Sequence, residues 1–466
     1  MTTDLNMMPA TELVAAYRAK SISPVEVTRA VLDRIGALNG TFNAFCVIDE
    51  ERSLADARDS ETRWQRGEPA GPVDGVPATI KDLMLSKGWP TRRGSKTTPA
   101  EGDWDEDTCC VARLREAGVV YVGKTTTPEF GWKGVTDSPL TGTTRNPWNP
   151  EKTSGGSSGG AAVAAALGMG ALNISSDGGG SIRMPGAFCG VFGIKPTFGV
   201  VPAYPASPMT TLSHHGPMTR TVADGALMLS VIAGPDPRDW FAGPPLGLDY
   251  RDRLDDGVRG WRIAYSPDLG YATVDPEVAA LVETAVATFS DLGAEVEEVP
   301  PPFADPTECM VTHWSVGLAV LLAGIPVDKH GLMDAPILEL AENGRAKTVL
   351  ELRAVERERE ALGARMNLFL DRYDLLMTPQ LPLTAFATGR EFPDGRGMTR
   401  WWQWSPFTYP FNLTQHPAAT VPCGLAPDGL PAALQIVGRK YADARVLCAA
   451  RAYEASHPFK MPAAPD

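Results

Sequence analysis

Between Gly71 and about Ala233 the sequence alternates two textures. Short β-branched or small apolar runs (Val76–Ile80, Val119–Val122, Ala171–Ile174) are interleaved with helical stretches (Thr108–Ala117, Gly160–Leu167), and glycine clusters separate them. The alternation predicts an α/β fold layered around a mixed β-sheet, with sites where strands hand over to loops. Strand-like runs return near 374–384 and 418–437. Both ends of the chain are therefore expected to share one sheet with its middle, in a single large domain.

Around this core, 71–233, residues 10–65 read as an N-terminal helical layer. Ser23-Pro24-Val25-Glu26 combines an N-cap, a proline at the first helical position and a capping-box glutamate, and Val27, Val31 and Ile35 then recur on one face. The stretch 234–262, rich in Pro, Gly and Asp, reads as a surface connection. It opens a more variable segment, 234–373, on the substrate side. Within that segment 276–290 reads as a helix, 337–371 as one long amphipathic helix or two, and 326–350 as a candidate cover. Residues 374–466 return to the sheet.

Composition narrows the partners. A net charge of −13 disfavours a nucleic-acid backbone or an anionic membrane surface. No apolar run reaches the ~18 residues that span a bilayer. The N-terminal stretch has early acids and no long apolar run, so no secretory leader is expected. The seven cysteines are an odd number, and Cys109-Cys110 has neither metal nor redox spacing. Free thiols in a reducing, cytoplasmic setting are expected, with no metal and no cofactor. The expected partner is a small-molecule substrate, and the chain a monomer or homodimer.

Two loops carry the chemistry: Ser154-Gly155-Gly156-Ser157-Ser158-Gly159-Gly160 and Asp177-Gly178-Gly179-Gly180-Ser181-Ile182-Arg183. Neither ends in the Gly-Lys-Ser/Thr of a phosphate-binding loop, and neither spells G-x-G-x-x-G. Gly155 to Gly159 matches the G-x-S-x-G of a nucleophile elbow, but that motif needs a preceding strand. What precedes it is the turn-rich Asn146-Pro147-Trp148-Asn149-Pro150. His214, His215 and His416 read as loop histidines near the site. In the second loop, the N–H groups of Gly178, Gly179, Gly180 and Ser181 could converge on an oxyanion beside the Ser181 hydroxyl. A tight glycine turn around a buried serine explains that loop equally well.

Taken in order along the chain, these residues resemble the amidase signature family. The resemblance runs through Gly71–Pro77, Ile80-Lys81-Asp82, Gly123-Lys124-Thr125, Pro128–Gly131 and Arg145–Pro150. It continues through both serine loops, Gly190–Pro196 and Gly216–Arg220, and returns from Asp374 to Gly438. It implies a mixed central sheet covered by helices on both faces. It also implies a Ser–cis-Ser–Lys triad: Lys81 as base, Ser157 as bridging serine after a cis peptide bond from Gly156, and Ser181 as nucleophile. The N–H groups of Gly178 to Ser181 would form the oxyanion hole. Ser158 would hold its loop, and Asp177 and Arg183 would brace the nucleophile turn. The sequence departs from the family pattern at Ser154 (for Pro), Ser175-Ser176 (for Gly-Thr), Gly178 (for an apolar residue) and Thr126 (for Asn).

This chemistry makes a physical demand. Serine needs a base, and lysine serves only when neutral. Its usual value of ~10.4 must fall by several units, which burial can achieve. Lys81 is therefore expected in a closed pocket with no carboxylate on its nitrogen, and Asp82 is expected to turn towards backbone. For the substrate pocket, the apolar run 309–325 with Trp314, the aromatic run 398–411, and Phe130, Trp132 and Met184 are the candidates. They favour an apolar or aryl amide, with a carbamate (urethane) or ester as an alternative. A further alternative is a partner-dependent glutaminase resembling the glutaminase component of the tRNA-dependent amidotransferases.

Overall fold

The structure, a computed structural model, describes residues 4–463. Its strands are β1 (Phe45–Ile48), β2 (Pro77–Lys81), β3 (Val120–Thr125), β4 (Asp137–Ser138), β5 (Gly142–Thr143), β6 (Leu172–Asp177) and β7 (Phe192–Lys195). There follow β8 (His214–Thr219), β9 (Arg262–Tyr265), β10 (Glu295–Glu298), β11 (Leu375–Pro379), β12 (Ala418–Leu425) and β13 (Pro431–Gly438). Eleven of them form one sheet in the order β1-β3-β2-β6-β8-β7-β12-β13-β11-β9-β10, while β4 and β5 make a separate ribbon. The sheet is mixed: β2 runs parallel to β3 and β6, and β8 runs antiparallel to β6 and β7. The β12–β13 hairpin closes the fold by pairing β12 with β7 and β13 with β11.

Alternation along the strands shows how the sheet divides the interior. On β13, Leu434 and Ile436 enter one buried apolar cluster and Ala433 and Val437 the other. Leu376 likewise opposes Leu375 and Met377 on β11, and Ala264 opposes Ile263 and Tyr265 on β9. Successive side chains of a strand point to opposite faces, so the sheet is apolar on both sides and helices cover both.

The N-terminal layer contains the helices Ala10–Ala19, Pro24–Phe42 and Glu50–Arg66. The capping box forms as the sequence predicts, with Val25 N–H donating to Ser23 Oγ and Ser23 N–H to Glu26. Val27, Val31 and Ile35 are buried. The layer is not all helix, however: β1 lies within it and adds an antiparallel edge to β3. The region 337–371 resolves into two helices, Ala335–Arg345 and Val349–Leu370. At the start of the first, Asp334 receives hydrogen bonds from Trp132 Nε1 (2.9 Å) and Lys133 Nζ (2.7 Å), and its N–H donates to Glu129 (2.6 Å). This part of the candidate cover is pinned to the body of the protein. No helix among the described residues is long and apolar enough to cross a membrane.

Candidate active site

Parallel strands end at the same edge of a sheet, and ligand sites gather outside their carboxyl ends. β2 ends in Lys81 and its parallel neighbour β6 ends in Ser176 and Asp177. The two serine loops lie at this edge. The first leads into the helix Gly159–Ala166, the second joins β6 to the helix Arg183–Cys189, and Ser158 N–H donates to Ser181 O (3.3 Å) between them. The Gly156–Ser157 peptide bond is cis.

Lys81 is fully buried. Its Nζ is 2.7 Å from Ser157 Oγ, 2.8 Å from Ser158 Oγ and 3.0 Å from Ser176 Oγ, and no carboxylate among the described residues is in contact. Burial drives its amine well below the ordinary lysine value, against a smaller opposing pull from Asp177. A neutral amine here would have two N–H donors and one lone pair, so one of the three hydroxyls would donate to it. Ser158 is excluded, because its hydroxyl donates to Ser176 O (3.2 Å). Ser157, at the shortest distance, is the best placed of the other two.

Asp82, next in sequence, does turn away, but not only to backbone. It accepts from the N–H groups of Arg92 (3.2 Å) and Gly94 (3.3 Å), and it also pairs with the buried Lys124 (3.1 Å).

The loop that carries Ser181 is braced from behind. Asp177 accepts from Gly180 N–H (2.7 Å), Ile182 N–H (3.1 Å), Asn412 Nδ2 (2.8 Å) and both sides of the Arg183 guanidinium (3.0 Å each). Burial alone would raise its carboxyl, but Arg183 and Asn412 hold it well below the usual carboxylate range. Arg183 also donates to Thr408 O (2.8 Å), Gln435 Oε1 (2.8 Å) and Asn412 Oδ1 (2.6 Å). One member of the expected oxyanion set must be withdrawn: Gly180 N–H is committed to Asp177. The N–H groups of Gly178, Gly179 and Ser181 donate to no protein acceptor among the described residues. Two of these glycines are sterically required. A Cβ on Gly179 would come within 2.9 Å of both Met310 and Trp401, and one on Gly180 within 2.6 Å of Thr408.

Ser157, Ser176, Gly178 and Ser181 open onto a cavity of about 290 Å³. Phe130 and Trp314 line it, as expected, together with Met209, Leu321 and the segment Ala203–Pro208. Trp132 and Met184 do not. They are fully buried, with Trp132 Nε1 held by Asp334 and Met184 packed near Gly134 in the aromatic core. The run 398–411 also stays out of the cavity. Trp401 packs under Gly179, Trp404 stacks on Phe188 at 5.6 Å, and both are buried. Trp401 thus backs the glycine loop that carries Ser181.

Of the three histidines only His416 lies in a loop, as expected. His214 and His215 sit on β8 rather than in a loop, and only His215 reaches the cavity. Burial pushes His215 down to about 4 and His416 to about 3. No histidine hydrogen-bonds to Ser157 or Ser181 among the described residues.

Sequence reading missed Ser176 as an Lys81 partner, Asn412, Gln435 and Thr408 as braces, and 203–208 as cavity wall. Only Ser176 left a signal, as part of the Ser175-Ser176 departure beside the second loop.

A sequence model of the family described as Amidase matches residues 26–447. An acylamidase of Rhodococcus erythropolis is 38% identical over 99% of this chain and 98% of its own length. The A-type subunit of the glutamyl-tRNA(Gln) amidotransferase of Moorella thermoacetica is 35% identical over 97% of each chain. The crystal structure of a bacterial aryl acylamidase of the amidase signature enzymes superposes with a TM-score of 0.93 at 30% identity, covering 100% of both chains.

Proposed function

The chain belongs to the amidase family, and we propose that it hydrolyses a C–N amide bond of a small molecule through an acyl-enzyme on Ser181. The observation that carries this reading is the Lys81 environment: a buried amine with three hydroxyl partners, no carboxylate, and Ser157 between it and the cavity. Ser181 Oγ attacks the carbonyl carbon as its proton passes to Ser157 and the Ser157 proton passes to Lys81 Nζ. The oxyanion is received by the N–H groups of Gly178, Gly179 and Ser181. The relay then reverses, Lys81 returning a proton through Ser157 to the leaving nitrogen as the C–N bond breaks. Water, deprotonated along the same path, cleaves the acyl-enzyme. Ser158 fixes the amine, and Asp177 with Arg183 holds the loop.

The walls formed by Phe130, Met209, Trp314 and Leu321 favour an apolar or aryl group beside the carbonyl. Similarity to the acylamidase and the aryl acylamidase supports that choice. Carbamates and esters present the same carbonyl to the same groups. A second reading, a glutaminase that works only with a partner, is favoured by the 35% identity to the amidotransferase component. The deciding experiment assays the purified chain on anilides, aryl carbamates, aryl esters and glutamine, with intact-mass detection of an acyl adduct on Ser181. The proposal expects anilide turnover and an adduct lost in Ser181→Ala. Glutamine hydrolysis appearing only with a partner would replace it.

A further inference from the structure

Arg93 lines the same cavity as Ser157 and Ser181 and is the one charged side chain on its wall, apart from the histidine, among the described residues. No Asp or Glu among the described residues lines that cavity. Arg93 is half-buried, yet its guanidinium makes no hydrogen bond and no ion pair with the protein among the described residues. The nearby acid is committed elsewhere: Asp82 serves Lys124 and the N–H groups of Arg92 and Gly94. Burial pulls Arg93 below the ordinary arginine value, and Asp82 opposes this without touching it.

The backbone at this position is unusual. Arg93 has φ of 56°, a left-handed conformation that side-chain-bearing residues rarely adopt. Such outliers persist where the surroundings hold them, and they concentrate at ligand sites. Here the Phe130 N–H donates to Arg93 O at 2.8 Å. The next residue, Gly131, lies against the triad, since a Cβ built on it would sit 3.2 Å from Ser157 Oγ. Arg93 is thus fastened to the turn that touches the bridging serine.

A guanidinium has five N–H donors in a planar fork that matches a carboxylate. Leaving those donors unpaired in a largely apolar cavity makes sense if the substrate brings their acceptor. We propose that Arg93 is the specificity-determining cation of this site and that the preferred amide carries a carboxylate. This rests on the amide-hydrolase reading and narrows its substrate class from an apolar or aryl amide to one with an anionic end.

The test uses two matched pairs that differ by a carboxylate against a methyl group. N-(p-nitrophenyl)succinamate and p-nitrobutyranilide place the difference on the acyl side. p-Acetamidobenzoate and p-methylacetanilide place it on the amine side. Binding is measured by calorimetry on Ser181→Ala, with Arg93→Gln and Arg93→Lys added in turn. A charge-assisted pair predicts about 10- to 100-fold tighter binding of the carboxylate member of at least one pair. That ratio should collapse to within about threefold of unity in Arg93→Gln and survive in part in Arg93→Lys. No carboxylate preference in either pair, or a preference that survives Arg93→Gln, overturns the proposal. Turnover of the same compounds by the unsubstituted chain is a separate readout. Its absence would count against the amide-hydrolase reading and leave the binding ratio standing.

Discussion

Lys81 and Lys124 occupy nearly the same place and have opposite environments. Both are fully buried, at the same ends of adjacent parallel strands, with Ile80 opposite Lys124 and Lys81 opposite Thr125. Lys124 meets Asp82 at 3.1 Å, Pro90 O at 2.9 Å and Thr91 Oγ1 at 2.6 Å. Among the described residues, the polar partners of Lys81 Nζ are all hydroxyls. Burial lowers both amines, but Asp82 partly restores Lys124, whereas Lys81 is driven well below its ordinary value. Burial alone, then, does not make a base. One carboxylate, turned to the neighbouring strand, gives Lys124 an ion-pair partner and leaves Lys81 among hydroxyls.

The contrast between the two lysines is most exposed at the reacting groups. Ser181→Ala and Lys81→Ala should each lower kcat by about 10⁴-fold or more, while circular dichroism shows an intact fold. Lys124→Met should do the reverse. It leaves Asp82 buried without its partner, costing about 3–5 kcal/mol in urea unfolding, while kcat of the folded protein changes by less than about tenfold. Equal catalytic losses at the two lysines would erase the distinction. Asp177→Asn should follow, with a fall in kcat of about 10²-fold and a smaller change in KM, because it loosens the loop that presents the free N–H groups. Ser176→Ala is the mildest: losing one of three hydroxyls around Lys81 should cost about fivefold in kcat.

Part of the candidate site was legible before the fold. The glycine-serine loops stand out locally, but it is the resemblance to the amidase signature family that singles out Lys81, Ser157 and Ser181, and the fold brings Lys81 within 2.7 Å of Ser157. The Ser23 capping box is local too, and forms as read. What stayed hidden is non-local. Asn412 and Gln435 reach Asp177 and Arg183 across more than 200 positions, and no periodicity records that. Aromatic density at 398–411 signals burial without saying whether it faces core or cavity, and Trp401 and Trp404 face core. β1 is only four residues long and pairs at an edge, so its pattern is too short to separate from the helices around it. Gly180 carries a free-looking amide in sequence, and only the fold shows Asp177 accepting from it.

Lys81 must be neutral in the folded protein if it is the base, and linkage tests this directly. A lysine whose folded value lies below its unfolded ~10.4 makes the unfolded chain bind more protons in between, so stability rises with pH across that window. Unfolding free energies of the unsubstituted chain and Lys81→Met should be measured from pH 6 to 10.5. Unpaired serines in the variant add a constant offset, so the slope of the difference is the readout. Relative to the variant, the unsubstituted chain should gain about 1.36 kcal/mol per pH unit from the folded value up to ~10.4. A difference that stays flat across this range would mean that Lys81 keeps its proton, and would contradict its assignment as the base.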